Sequence, residues 1–163
     1  MRFTIWQRQD RRPTTSIAAA PHFELGRQGE ALALEHLEAA GYQVVAANVS
    51  LPVGRNRRGV IINAEIDLVG YDGPVLCFVE VKTRASGEFA PPQVNVDLRK
   101  RRQIARAARA YRRMLGLIDA SYRFDVVTVV TSHDGLPPRI QLIRNFWTDE
   151  TLRRHPAYQV HWD

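Results

Sequence analysis

A chain of 163 residues with 45% hydrophobic content is long enough for one domain with a real core and too short for a second large one. Twenty-three Lys and Arg against 17 Asp and Glu leave a net charge of +6. That balance favours polyanionic partners through counterion release, with genomic base composition as the plainer source of the excess. Cys77 is the single cysteine, which excludes a disulfide framework and a thiolate metal site. His22, His36, His133, His155 and His161 lack the ligand spacing of a zinc site. No apolar run nears the roughly 18 residues of a membrane span, so a cytoplasmic protein without membrane contact is expected.

Residues 1–20 carry Arg2, Arg8, Arg11 and Arg12 against Asp10 alone, and read as a basic tail or a transit-type segment outside the fold. Residues 21–163 read as one domain. From His22 to Ala40, Leu25, Leu32, Ala33, His36, Leu37 and Ala40 recur at steps of three and four, and Gly41 closes the helix. Tyr42 to Asn48 reads as a strand, and Leu51 to Gly59 as a loop punctuated by Pro52, Gly54 and Gly59 and carrying Arg55, Arg57 and Arg58. Val60 to Tyr71 is β-rich, with Glu65 and Asp67 expected on one face and Ile66 and Leu68 on the other.

Asp72-Gly73-Pro74 signals a turn, and Val75 to Thr83 is a near-continuous apolar strand of the kind covered on both faces. Ala85 to Gln93 is a loop with Gly87, Pro91 and Pro92. A long helix runs from Asn95 or Val96 to about Leu117, with Asp97 suited to its N-terminus. Arg123 to Thr131 is a β-branched strand, Asp134-Gly135 a turn, Arg139 to Ile143 a last strand, and Thr148 to Arg154 a short helix.

Charges interrupt this pattern at Glu80-Val81-Lys82. Strand alternation turns Glu80 and Lys82 the same way, beside whatever Asp67 faces on the neighbouring strand. A buried carboxylate must be paired, exposed or bound to a metal. Two carboxylates with a lysine suit a hard divalent cation and an anionic water or phosphate. A cross-strand ion pair is the plainer account. On the long helix, Ile104, Ala108, Tyr111 and Leu115 form an apolar stripe. Arg99, Arg102, Arg106, Arg109 and Arg113 form another nearly opposite, either a solvated face or a surface for nucleic acid. Only Lys82 and Lys100 are lysines. Lys100 precedes Ile104 by one turn, so it either reaches toward Asp67 and Glu80 or snorkels at the core rim.

Gly26-Arg27-Gln28-Gly29-Glu30-Ala31, Glu65-Ile66-Asp67-Leu68-Val69, Phe78-Val79-Glu80-Val81-Lys82-Thr83-Arg84, Lys100 and Arg123-Phe124-Asp125-Val126-Val127 occur in this order. The set resembles the YraN-like family of uncharacterised bacterial proteins. That family looks like a branch of the PD-(D/E)XK nuclease superfamily and is similar to archaeal Holliday-junction resolvases. The resemblance covers about residues 22 to 131. It implies an α/β restriction-endonuclease-like core, a mixed central sheet flanked by helices in the order α-β-β-β-α-β.

The resemblance also implies that Asp67 and Glu80 bind Mg²⁺ or Mn²⁺, with Glu30 directly or through water, and that Lys82 is catalytic with Lys100 as a second cation. The glycines before Glu30 would let the first helix approach the sheet. The implied activity is a metal-dependent endonuclease acting on DNA, branched or damaged DNA included. A nucleic-acid-binding module or accessory subunit with little intrinsic activity is the alternative, and a domain binding an acidic protein is a third reading. Arg55, Arg57, Arg58, Arg84, Arg99, Arg102 and Arg106 are the candidate nucleic-acid contacts. Ala64 stands where family members carry glycine, and Val53 to Asn63 is longer and more basic than their link, so the loop is the departure. Resolvase-like members form dimers, which leaves a homodimer open, and no strip of this chain identifies itself as the interface.

Overall fold

The computed structural model describes residues 21–85, 95–131 and 136–154. The expectations for residues 1–20, for most of the Ala85–Gln93 loop and for the Asp134-Gly135 turn lie outside the described residues. The elements are α1 (Pro21–Ala39), β1 (Gln43–Arg55), β2 (Ile61–Asp72), β3 (Val75–Ala85), α2 (Leu98–Met114), β4 (Tyr122–Thr131), β5 (Arg139–Trp147) and α3 (Asp149–Arg154). The strands form one mixed sheet in the order β1-β2-β3-β4-β5. Only β3 and β4 pair in parallel, because the long excursion through α2 carries the chain back to the start of the sheet.

Alternate residues of β3 feed two cores. Leu76 and Phe78 pack with Ile66, Ile104, Ala108, Phe124 and Trp147 under α2. Cys77 and Val79 pack with Ala33, Leu37, Leu68 and Val127 under α1. Coverage on both faces is why β3 reads as an unbroken apolar run. Burial pushes the Cys77 thiol up to about 12, consistent with a packing residue.

Three expectations change. The stretch read as a loop is mostly strand. β1 continues to Arg55 and pairs with β2 as far as Arg55↔Ile61, absorbing Pro52 and Gly54 at a register shift. β1 is the sheet edge, where a proline removes no ladder bond that the sheet needs. Ile66 and Leu68 do not share a face. Ile66 belongs to the core under α2 and Leu68 to the core under α1, so alternation slips at Asp67. Leu115 is 50% exposed because α2 ends at Met114, and Gly116 turns the chain with φ of 68°.

Candidate active site

The β2–β3 ladder runs from Asp72↔Val75 to Leu68↔Val79. Continued by one step it would set Asp67 opposite Glu80, but there the backbone pairing stops. The Val81 N–H instead donates to Asp67 Oδ2 at 2.7 Å, so a carboxylate stands where a main-chain acceptor would be. β3 stays paired with β4 as far as Ala85, and the two acids therefore sit at a fork whose inner arm is held.

Glu80 extends the Leu76–Phe78 face by the two-residue repeat and is only 2% exposed. Lys82, two further on, places Nζ 2.8 Å from Glu80 Oε1. Lys100 comes in from the first turn of α2. The Asp97 side chain caps that helix by accepting from the Lys100 N–H at 2.8 Å, and Lys100 Nζ lies 3.2 Å from Glu80 Oε2. That second contact lacks the alignment of a hydrogen bond, so Glu80 Oε2 is buried without one. Of the two readings of Lys100, the inward one holds.

Burial pushes the Asp67 carboxyl up to about 7, and the neighbouring charge of Glu80 adds to it. The Val81 N–H and Lys100 oppose the shift, while Glu30 adds slightly in the same direction. A buried acid raised in this way beside a second carboxylate makes a site that favours a proton or a cation at Asp67.

Glu30 lies on α1, and Gly29 brings that helix against the sheet. A Cβ at Gly29 would stand 1.8 Å from Thr83 Oγ1 and 2.7 Å from Thr83 Cβ. Gly26 has no such role, since a Cβ there meets nothing within 4 Å. Glu30 Oε2 accepts from Asn48 Nδ2 at 3.1 Å. Among the described residues no three His, Cys, Asp or Glu side chains are placed to share one metal ion. Glu30 therefore does not join Asp67 and Glu80 as a third direct donor in this arrangement.

Asn48 is a site residue that sequence reasoning missed. The pairs Ala47↔Leu68 and Val49↔Ile66 place it across from Asp67, and its φ is 51°. Asparagine tolerates that left-handed conformation better than other side chains, and a lone Asn within an apolar strand was the available signal.

The candidate nucleic-acid residues divide into separate surfaces. Arg84 continues the Glu80–Lys82 face at the end of β3. Arg55, Arg57 and Arg58 gather at the tip of the β1–β2 hairpin, remote from the acids along the strand. Arg99 and Arg106 are exposed on α2, and Arg102 is half-buried there. Other α2 arginines are committed to the fold. Arg101 Nε donates to Val96 O at 2.6 Å and its guanidinium lies over the Phe146 ring. Arg112 donates to the carbonyls of Leu117 and Ile118, and its guanidinium lies 3.9 Å from the Tyr122 ring centre.

Glu65, on the strand beside Asp67, is exposed and faces Ser50 across the ladder rather than the acid pair.

A second buried acid, Asp125, lies toward the start of β4. It accepts from Tyr42 Oη at 2.9 Å, from Arg123 Nε at 3.0 and 3.1 Å and from the Asn145 N–H at 2.8 Å. Arg123 also donates to Tyr42 Oη and to Asp72, and burial pushes the Tyr42 phenol up to about 12. With its lone pairs filled, this acid secures β4 against β5 and the start of β1.

The family model for the uncharacterised protein family UPF0102 matches residues 29–129, the stretch that holds every one of these acids and lysines. A UPF0102 protein of Porphyromonas gingivalis is 44% identical over 122 residues, covering 75% of this chain and 82% of that protein. A UPF0102 protein of Chlorobium limicola is 42% identical over 110 residues, covering 68% and 77%. That of Geobacter metallireducens is 41% identical over 121 residues, covering 74% and 89%. A solved chain titled "Crystal structure of SSO0001" is 17% identical with a TM-score of 0.36, covering 83% of this chain and 57% of that one, a likeness too slight to build on. On the matched family model and the extent of these identities, the chain belongs to the uncharacterised protein family UPF0102.

Proposed function

We propose that this protein is a metal-dependent endonuclease that hydrolyses phosphodiester bonds in DNA. The observation that carries the reading is the Asp67–Glu80 pair at the strand fork. Asp67 is pushed up to about 7, Glu80 Oε2 is buried without a hydrogen bond, and two lysines flank the same carboxylate. A structural ion pair needs one cation and has no use for a second acid that raises the first.

The donor set fits Mg²⁺ or Mn²⁺, since magnesium commonly takes one or two carboxylates and fills its shell with water and phosphate oxygens. Asp67 and Glu80 would hold it, and Glu30 would act through water. Bound there, the ion would supply charge neutralisation at the phosphate and a more acidic water. The side chains contribute the rest. Lys82 and Lys100, with side chains 35% and 30% exposed, present ammonium groups to a phosphate entering at the fork. There they orient the scissile group and stabilise the charge that develops on its oxygens. Arg84, on the same face, would contact a flanking phosphate.

The test is cleavage of linear, single-stranded and four-way DNA with Mg²⁺ or Mn²⁺ by wild type, Asp67→Ala and Glu80→Ala. Activity in wild type alone supports the reading. DNA binding without cleavage under either metal would instead favour an accessory binding module. The placement of Glu30 outside a common set of donors lends that second reading its support.

A further inference from the structure

The β1–β2 hairpin extends past the core and ends in a built turn. Asn56 Oδ1 accepts from the N–H groups of Arg58 and Val60 at 3.0 and 2.9 Å, and the Gly59 N–H donates to Asn56 O at 2.9 Å. Arg55 Nη1 donates to Gly59 O at 2.7 Å, and Gly59 takes φ of 77°. The tip is thus pre-ordered before any partner arrives. It also exposes two β-branched apolar side chains, Val60 at 59% and Ile61 at 51%. Ile61 is the direct cross-strand partner of Arg55, so the two share one face of the ribbon.

A solvated basic loop has no need of adjacent bare Val and Ile. A two-stranded β-ribbon has the width to enter the major groove of B-form DNA, about 12 Å across, where thymine methyl groups offer apolar surface and the walls offer phosphates. We infer that the β1–β2 hairpin is a finger that enters the major groove, with Arg57 and Arg58 on phosphates and Val60 and Ile61 on base edges. This rests on the nuclease reading for the identity of its partner. Ile61 and Asp67 lie on one strand six residue steps apart, roughly 20 Å at ~3.3 Å per residue. On a duplex lying along this strand the finger meets the groove about six base pairs from the phosphate held at the fork, at ~3.4 Å per base pair. On this reading it requires an intact duplex on one side of the cut, which single-stranded DNA does not offer.

Cys77 is the only cysteine and is fully buried, so I61C carries the one accessible thiol. The experiment offers this variant, in Ca²⁺, duplexes bearing a disulfide tether either on cytosine N4 in the major groove or on guanine N2 in the minor groove. Cross-linking from cytosine N4 alone is the expected result. In parallel, R57A/R58A should lower the slope of log Kd against log salt by about 2, near 0.9 for each lost phosphate contact. Binding with no cross-link, or with cross-links from guanine N2, overturns the finger and leaves the metal-site reading standing, because cleavage by wild type is scored separately. Absence of any DNA binding overturns both.

Discussion

Replacing Gly29 by alanine tests whether the approach of α1 to β3 is as close as the structure has it. Thr83 Oγ1 and Cγ2 can turn away from the new methyl group by rotating χ1, but Thr83 Cβ at 2.7 Å cannot. Carbon atoms rest at about 3.5 Å or more, so one backbone must withdraw by roughly 0.8 Å. Overpacking of this kind costs about 1–3 kcal/mol, and a backbone shift belongs in the upper half of that range. A loss of about 2–3 kcal/mol corresponds to a fall in Tm of roughly 5–10 °C for a chain of this size. The same withdrawal draws Glu30 from Asn48. Thr83→Gly alone should cost about 1 kcal/mol through backbone entropy. In the Gly29→Ala/Thr83→Gly double variant the clash is gone, so it should be more stable than Gly29→Ala. Gly26→Ala, with nothing near its Cβ, should be neutral or stabilising. Urea denaturation of the four proteins completes the cycle. A Gly29→Ala variant as stable as wild type, or a double variant whose loss equals the sum of the two singles, would refute the contact.

Three further outcomes follow from the site and its support. For Asp67 the folded pKa lies above the ordinary value, so the folded state keeps a proton that the unfolded state gives up. Stability without metal should therefore fall as pH rises from about 4 to 7, by up to about 4 kcal/mol for a shift of about three units. Asp67→Asn should flatten that slope in EDTA and be the more stable protein above pH 7, and a parallel pH profile for the two would contradict it. Asp125→Ala leaves Arg123 with Asp72 as its remaining acid and strips the buried acceptor from Arg123 Nε, Tyr42 Oη and the Asn145 N–H, so it should cost about 3–5 kcal/mol, whereas Tyr42→Phe should cost about 1–3 kcal/mol, both read by urea denaturation. Asn48→Gly keeps the left-handed backbone and drops the Glu30 contact, while Asn48→Ala loses both. Alanine should therefore be less stable than glycine by about 1 kcal/mol in thermal unfolding, and single-turnover cleavage should fall in both.

Periodicity made the helices, the doubly covered β3 and the shared direction of Glu80 and Lys82 legible, because each depends on spacings within one element. The sheet-side position of Lys100, one helical turn before Ile104, was legible for the same reason, while its reach to Glu80 rather than to the core rim was decided by the fold. The ordered motifs also sufficed for family membership. What the sequence alone did not determine lies between elements. Local turn signals at Pro52 and Gly54 concealed the hairpin, since a proline on an edge strand is permitted only by its place in the sheet. The slip at Asp67 follows from its carboxylate replacing a main-chain acceptor for Val81, a bond across two strands that no alternation rule contains. Asn48 opposite Asp67, Gly29 against Thr83 and the Tyr42–Asp125–Arg123 cluster join residues distant in the chain, and register and helix docking alone bring them together. Residue chemistry determined which groups could bind a cation, and the tertiary fold decided that Glu80 stands close enough to raise the Asp67 carboxyl while Glu30 stands apart.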